Sequence, residues 1–181
     1  SSREFNMSDD AELFHQTNVG FPLFKGEMIE RFTDSFAVPK FWINMKEGRN
    51  ELKKKEFGRL KKITKQKIIP QIHSDEYRLV WRKLTNPTNY RTCISTILHP
   101  NVFLADSLYY IHPVIFDGKK YKKQFSYEET FFLCGMLNSF VIDYILRNKI
   151  ESNLTIMHFL DLPIPRFDKN NLLHQKLFKN S

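Results

Sequence analysis

Ser126-Tyr127-Glu128-Glu129-Thr130-Phe131-Phe132-Leu133-Cys134-Gly135-Met136-Leu137 opens the stretch that decides the fold class. Serine followed three residues later by glutamate is the spacing of a capping box, in which each side chain satisfies the other's free backbone amide. The apolar run behind it ends near Lys149, so the spacing predicts one long helix. Arg147 and Lys149 put positive charge where the helix dipole is negative. Between residues 131 and 146 the run is interrupted by Asn138, Ser139 and Asp143. It falls short of the ~20 clean apolar residues a bilayer span needs, and reads as a core helix with no membrane partner. The polar pair Asn138-Ser139 inside it is expected to bond neighbouring backbone.

Upstream the pattern changes to strands. Residues 76–83 alternate Tyr77, Leu79 and Trp81 against Arg78, Val80 and Arg82, while residues 90–98 and 107–116 are rich in β-branched and aromatic side chains. Three strands are predicted. Between the first two, Asn86-Pro87-Thr88-Asn89 is a turn signal that gathers Arg82, Asn86, Asn89 and Arg91 around one loop. Nearer the N-terminus, residues 21–26 and 28–32 read as two short strands hinged at Gly26. The polar, basic segment 46–67 reads as a partly helical, exposed insert. Leu162-Pro163-Ile164-Pro165 must be extended, because proline lacks an amide donor and disfavours helix in the residue before it. A short final helix is expected from about Asn171. The fold class is therefore α+β, a single domain over residues 1–181: a strand-rich, mixed-sheet part (20–125) with a basic insert (40–67), then a helical closing part (126–181).

Seventeen phenylalanines and 41% hydrophobic residues exclude a disordered chain. No basic stretch leads into an apolar run with a cleavage site, so no secretory signal is read. Cys93 and Cys134 lie in apolar stretches without partners at metal-ligand spacing, and are expected as buried thiols in a reducing cytoplasm. The net charge of +8 is not spread evenly: residues 1–39 sum to −4, 40–67 to +8, 68–118 to 0 and 119–181 to +4. Clustered cations suit a polyanion, because each phosphate they neutralise releases condensed counterions.

Catalytic signatures are absent from the string. Glycines at 20, 26, 48, 58, 118 and 135 have no pair two or five apart, which excludes the dinucleotide fingerprint and the phosphate-cradling P-loop. Asn86-Pro87-Thr88-Asn89 lacks the second proline and the aromatic with which adenine methyltransferases grip a flipped base. The histidines show no helical pair at zinc-binding spacing. Asp34, Glu51 and Lys53 imitate the acidic-plus-lysine pattern of a metal-dependent nuclease, but permissive spacing in a Glu- and Lys-rich chain favours an exposed charged helix. The expectation is no catalytic residue and no metal.

Several strings, in order, resemble one family: the target recognition domain (the TaqI-like C-terminal specificity domain) of bacterial type IIG restriction-modification enzymes and related adenine-specific DNA methyltransferases, BREX-type ones included. Asn6-Met7-Ser8-Asp9-Asp10 with Leu13-Phe14, and Pro22-Leu23-Phe24-Lys25-Gly26-Glu27-Met28-Ile29, are similar to its opening. Trp81-Arg82-Lys83-Leu84 with Asn89-Tyr90-Arg91-Thr92 is similar to its central strand-turn-strand, and Leu137-Asn138-Ser139 and Leu162-Pro163-Ile164-Pro165 to its closing elements. Lys25 and Glu27 reverse the family's usual Glu-Gly-Lys charges, and Tyr90 stands where an acidic residue is common.

The resemblance implies sequence-specific recognition of double-stranded DNA without catalysis by this chain. It also implies a methyltransferase domain upstream in the same parent chain, to which S-adenosylmethionine and Mg²⁺ would belong. On that footing Arg49, Lys53, Lys54, Lys55 and Arg59 of the basic block, with Lys119, Lys120, Lys122 and Lys123, are candidate phosphate contacts. Lys25 is a further candidate DNA contact, and the loop residues Arg82, Asn86, Asn89 and Arg91 are candidate base-side contacts. For Arg82 and Arg91 a buried salt bridge or sheet-edge contact stands as the alternative. The competing reading of the whole chain is a protein-interaction or scaffold module that packs on the methyltransferase through its aromatics.

Overall fold

The computed structural model describes residues 4–181. The chain runs through β1 (Phe21–Phe24), β2 (Trp42–Ile43), α1 (Met45–Leu60), β3 (Arg78–Arg82), β4 (Ser95–Leu98), β5 (Phe103–Leu104), β6 (Leu108–Tyr110), β7 (Val114–Phe116) and β8 (Tyr121–Lys123). It closes with α2 (Tyr127–Leu137), α3 (Phe140–Arg147), α4 (Met157–Leu160) and α5 (Leu172–Lys179). This is an α+β fold, 31% helical and 19% strand. The strands form three small sheets, in the orders β2-β1-β5, β4-β3-β6 and β7-β8. All pairings are antiparallel except β1 with β5.

β3 organises the interior because successive side chains of a strand face opposite ways. Val80 joins Phe24, Met28, Ile29, Leu98, Leu104 and Leu108 in a core between the first two sheets. Leu79 and Trp81 face the other way, into a core closed by Cys134, Leu137, Ile142 and Leu146 of α2 and α3. Both faces of the strand are thus covered, as its near-continuous apolar run requires. A third core, with Phe5, Leu23, Ile43, Leu52, Ile72 and Phe103, seats α1 against the first sheet.

The predicted closing helix is present as two segments. α2 and α3 meet at an angle of 61°, and the break is made by the two polar residues within the apolar run. The Asn138 side chain leaves the helix direction to bond the backbone N–H and C=O of Ser95, and the Ser139 hydroxyl caps α3 by accepting from Ile142 N. Among the described residues no single helix is long and apolar enough to cross a membrane.

Three strand boundaries differ from the sequence expectation. Residues 28–32 do not form a strand: Gly26–Met28 is a 3₁₀ turn, and Phe32 sits in the left-handed region at φ 63°, which a pleated strand cannot accommodate. Residues 90–94 are outside β4 because the Asp143 carboxylate takes the amides of Thr92 and Cys93 that a ladder would use. The predicted strand over 107–116 divides into β6 and β7 around Pro113, which has no amide to offer. The segment 46–67 is partly helical and largely exposed, as expected: the sixteen-residue helix Met45–Leu60 buries only Gly48, Leu52 and Leu60, and that stripe seats it on the fold. The extended 162–165 segment and the final helix, capped by Asn171, are as predicted. Cys93 and Cys134 are buried free thiols, and burial pushes the Cys134 thiol up to about 12.

Candidate nucleic-acid interface

α1 starts where Asn44 accepts hydrogen bonds from the amides of Lys46 and Glu47, supplying acceptors for the free N–H groups of a first helical turn. Its buried residues Gly48, Leu52 and Leu60 fix which basic side chains face water. Lys53 and Lys54 are exposed; Lys53 has no carboxylate partner among the described residues, and Lys54 holds only Glu51, at 3.4 Å. The other three candidates on this helix are committed within the fold. Arg49 pairs with Asp75 at 2.7 Å. Lys55 reaches both Asp10 oxygens at 2.9 Å and the Glu4 carbonyl at 2.8 Å. Arg59 grips Glu56 through two hydrogen bonds of 2.7 and 2.6 Å.

The second cluster forms the β7-β8 hairpin. Asp117 at its turn accepts from the amides of Lys119 and Lys120 at 2.9 Å and pairs with Lys122 at 2.6 Å. These three partners hold its carboxylate well below the usual range. Lys123 lies 3.6 Å from Glu76. Lys119 and Lys120 are exposed and carry no ion pair among the described residues. The two basic segments, more than fifty positions apart in sequence, are joined in the fold: Tyr121 Oη on β8 donates to Glu56 Oε1 on α1 at 2.6 Å.

The turn at 86–89 forms as the sequence indicates. Asn86 Oδ1 accepts from Thr88 N at 2.9 Å, and Asn89 N donates to Asn86 O. Both asparagines are exposed. The arginines flanking the turn are not. Arg91 is 3% exposed; it lies 3.8 Å from Asp143, with its guanidinium carbon 3.8 Å from the Phe140 ring centre. Arg82 donates to the Ile29 carbonyl and stands 3.5 Å from Glu30. For these two the structural alternative is the one the fold shows. Lys25 shares Glu27 with Lys40, at 3.5 and 3.1 Å. Gly26 N donates to Ser107 Oγ at 3.0 Å, and a Cβ there would meet the Ser107 carbonyl at 3.3 Å, so its close approach is to the protein's own backbone.

Beside the loop stand residues that sequence reasoning did not select. Arg31 donates to Tyr90 Oη at 3.3 Å, Tyr90 and Phe140 are each 77% exposed, and Tyr144 and Val141 continue an exposed face along α3. For the α3 residues the string offered large apolar side chains at 140, 141 and 144, which share one helix face, but Ile142 and Leu146 form a second apolar face on the opposite side, and it is this second face that packs. Among the described residues no group of three His, Cys, Asp or Glu side chains gathers at metal-binding separation. No protein-family model matches the chain, and a search of the curated proteins finds no relative.

Proposed function

We propose that this chain is a sequence-specific recognition domain for double-stranded DNA, serving a restriction-modification adenine methyltransferase whose chemistry lies in another domain of the same cytoplasmic protein. The observation that carries the reading is the joining of two basic segments, α1 and the β7-β8 hairpin, through Tyr121 and Glu56. Lys53 and Lys54 lie on one of the two elements and Lys119 and Lys120 on the other, exposed and outside the ion pairs that hold the fold. Such lysines supply affinity through counterion release, whereas the exposed side-chain amide of Asn89 has the paired donor and acceptor that match adenine in a major groove; Asn86 Oδ1 is taken up by Thr88 within the turn. Specificity and affinity would thus come from different residues.

The test is duplex binding by fluorescence anisotropy across a salt series. Lys53→Glu combined with Lys119→Glu and Lys120→Glu is expected to weaken binding at least tenfold and to flatten the log-affinity against log-salt slope by about 2 to 3. Lys55 must be left intact, because it ties α1 to Asp10 and the Glu4 carbonyl. Absence of duplex binding at every salt concentration would favour the interaction-module reading.

A further inference from the structure

Two exposed aromatic rings, Tyr90 and Phe140, share one buried support. Arg91 lies beneath both, with its guanidinium carbon 3.8 Å from the Phe140 ring centre and 5.8 Å from that of Tyr90. The support is itself fixed: Asp143 accepts from Thr92 N at 2.7 Å and Cys93 N at 3.0 Å while facing Arg91. Arg147 closes the arrangement by donating to the Pro87 and Tyr90 carbonyls. On the far side Arg31 holds the Tyr90 hydroxyl. The rings are therefore in water yet held in place, a state that forgoes apolar burial without gaining the freedom of a mobile side chain.

The surroundings favour an anionic, planar ligand. Four guanidinium groups, Arg31, Arg82, Arg91 and Arg147, stand against two carboxylates, Glu30 and Asp143, and both carboxylates are already occupied within the fold. Faces of paired bases are covered by their neighbours in a duplex, so exposed rings gain from nucleic acid only where a base is unstacked. Aromatic platforms flanked by arginine are how proteins hold such bases.

We propose that Tyr90 and Phe140 form a stacking platform for an unpaired nucleobase at the DNA surface of this domain. The platform rests on the DNA-recognition reading above and adds to it a preference for a locally opened strand. Arg91 is a positioning residue that holds the rings from beneath and meets no base.

Three probes of one sequence test it in the full chain: a paired duplex, the same duplex with a single unpaired base, and the single strand. Wild type is expected to bind the probes with unpaired bases more tightly than the paired duplex. Tyr90→Ala and Phe140→Ala should each lose about 5- to 100-fold on those probes and less than about 2-fold on the paired duplex. Tyr90→Phe and Phe140→Tyr, which keep the rings, should retain the preference. Because both rings also pack on Arg91, binding is compared below each variant's own urea-unfolding transition, so that a loss of stability does not read as a loss of binding. Equal affinity for all three probes, or equal losses on all three, overturns the platform while leaving duplex recognition standing; no binding to any probe overturns both. Self-association removed by Phe140→Ala, without discrimination among probes, assigns the face to a protein contact and likewise overturns the proposal.

Discussion

Tyr121 Oη lies 2.6 Å from Glu56 Oε1, and the same carboxylate receives both hydrogen bonds of Arg59. One acidic side chain therefore ties the β7-β8 hairpin to α1.

Burial pushes the Glu56 carboxyl up, but the Arg59 guanidinium and the Tyr121 hydroxyl outweigh it and hold the group below its usual range. A depressed carboxyl stabilises the fold above the unfolded pKa, and that contribution is lost as pH falls through the lower folded value. Glu56→Gln is thus expected to destabilise the protein at neutral pH, by a margin that closes below about pH 4. Burial and the Glu56 hydrogen bond push Tyr121 up to about 12. Tyr121→Phe should cost about 1 kcal/mol in urea unfolding, a modest figure because the pair is partly open to water. In an alkaline absorbance titration it should remove an ionisation near pH 12.

His73 and His112 face each other with ring centres 4.5 Å apart. Burial lowers His73 to about 4, and burial followed by the neighbouring His73 lowers His112 to about 3. The unfolded chain takes up protons on these rings near pH 6.5 while the folded chain refuses them, so stability falls as pH drops from about 6.5 towards 4. For His73 alone the loss by pH 4 is roughly 3 kcal/mol. Urea unfolding at a series of pH values should show this slope for wild type. His73→Gln should flatten it, and an unchanged slope in that variant would place the acid sensitivity elsewhere.

What the sequence disclosed was set by local chemistry. The Ser126 capping box, the Asn86 turn and the Leu162 to Pro165 extended segment depend on residues within four positions of one another, and all three form. The fate of a charged side chain depends instead on distant partners. Lys55 and Asp10 are 45 positions apart, and Arg91 and Asp143 are 52 apart, so a reading from composition could not separate cations that hold the fold from those that face water. The exposed rings at 90 and 140 were hidden for the same reason, since only the folded chain brings them over one arginine.

Arg78 is fully buried and bonded to Glu4, whose second oxygen accepts from Leu104 N at 2.9 Å, while Arg78 also donates to the Val102 carbonyl at 2.7 Å. Burial raises the Glu4 carboxyl against the pull of Arg78. Removing one member of such a pair leaves the other charge unpaired and desolvated, which costs about 3–5 kcal/mol. Arg78→Met is expected to lose that much in urea unfolding. Adding Glu4→Gln should recover part of it, since the paired change leaves no buried charge; additive losses in the double variant would show that the two residues act separately.

Asn138 offers the sharpest separation of a structural role from a binding one. Its amide nitrogen donates to the Ser95 and Cys134 carbonyls at 2.9 and 3.1 Å, and its oxygen accepts from Ser95 N at 3.2 Å. An aspartate would keep the acceptor but lose the donor and bury a charge, whereas a leucine would fill the space and leave the Ser95 amide unpaired, its carbonyl still accepting from Phe32 N at 3.2 Å. Each orphaned buried group costs about 1–3 kcal/mol. Asn138→Leu is therefore expected to lose about 1–3 kcal/mol of stability, and amide hydrogen exchange should show Ser95 released ahead of the rest of β4. If the chain reads duplex DNA as proposed, the variant below its unfolding transition should bind paired duplex with the wild-type affinity, because Asn138 is buried. Weakened DNA binding by a fully folded Asn138→Leu protein would count against this purely internal role.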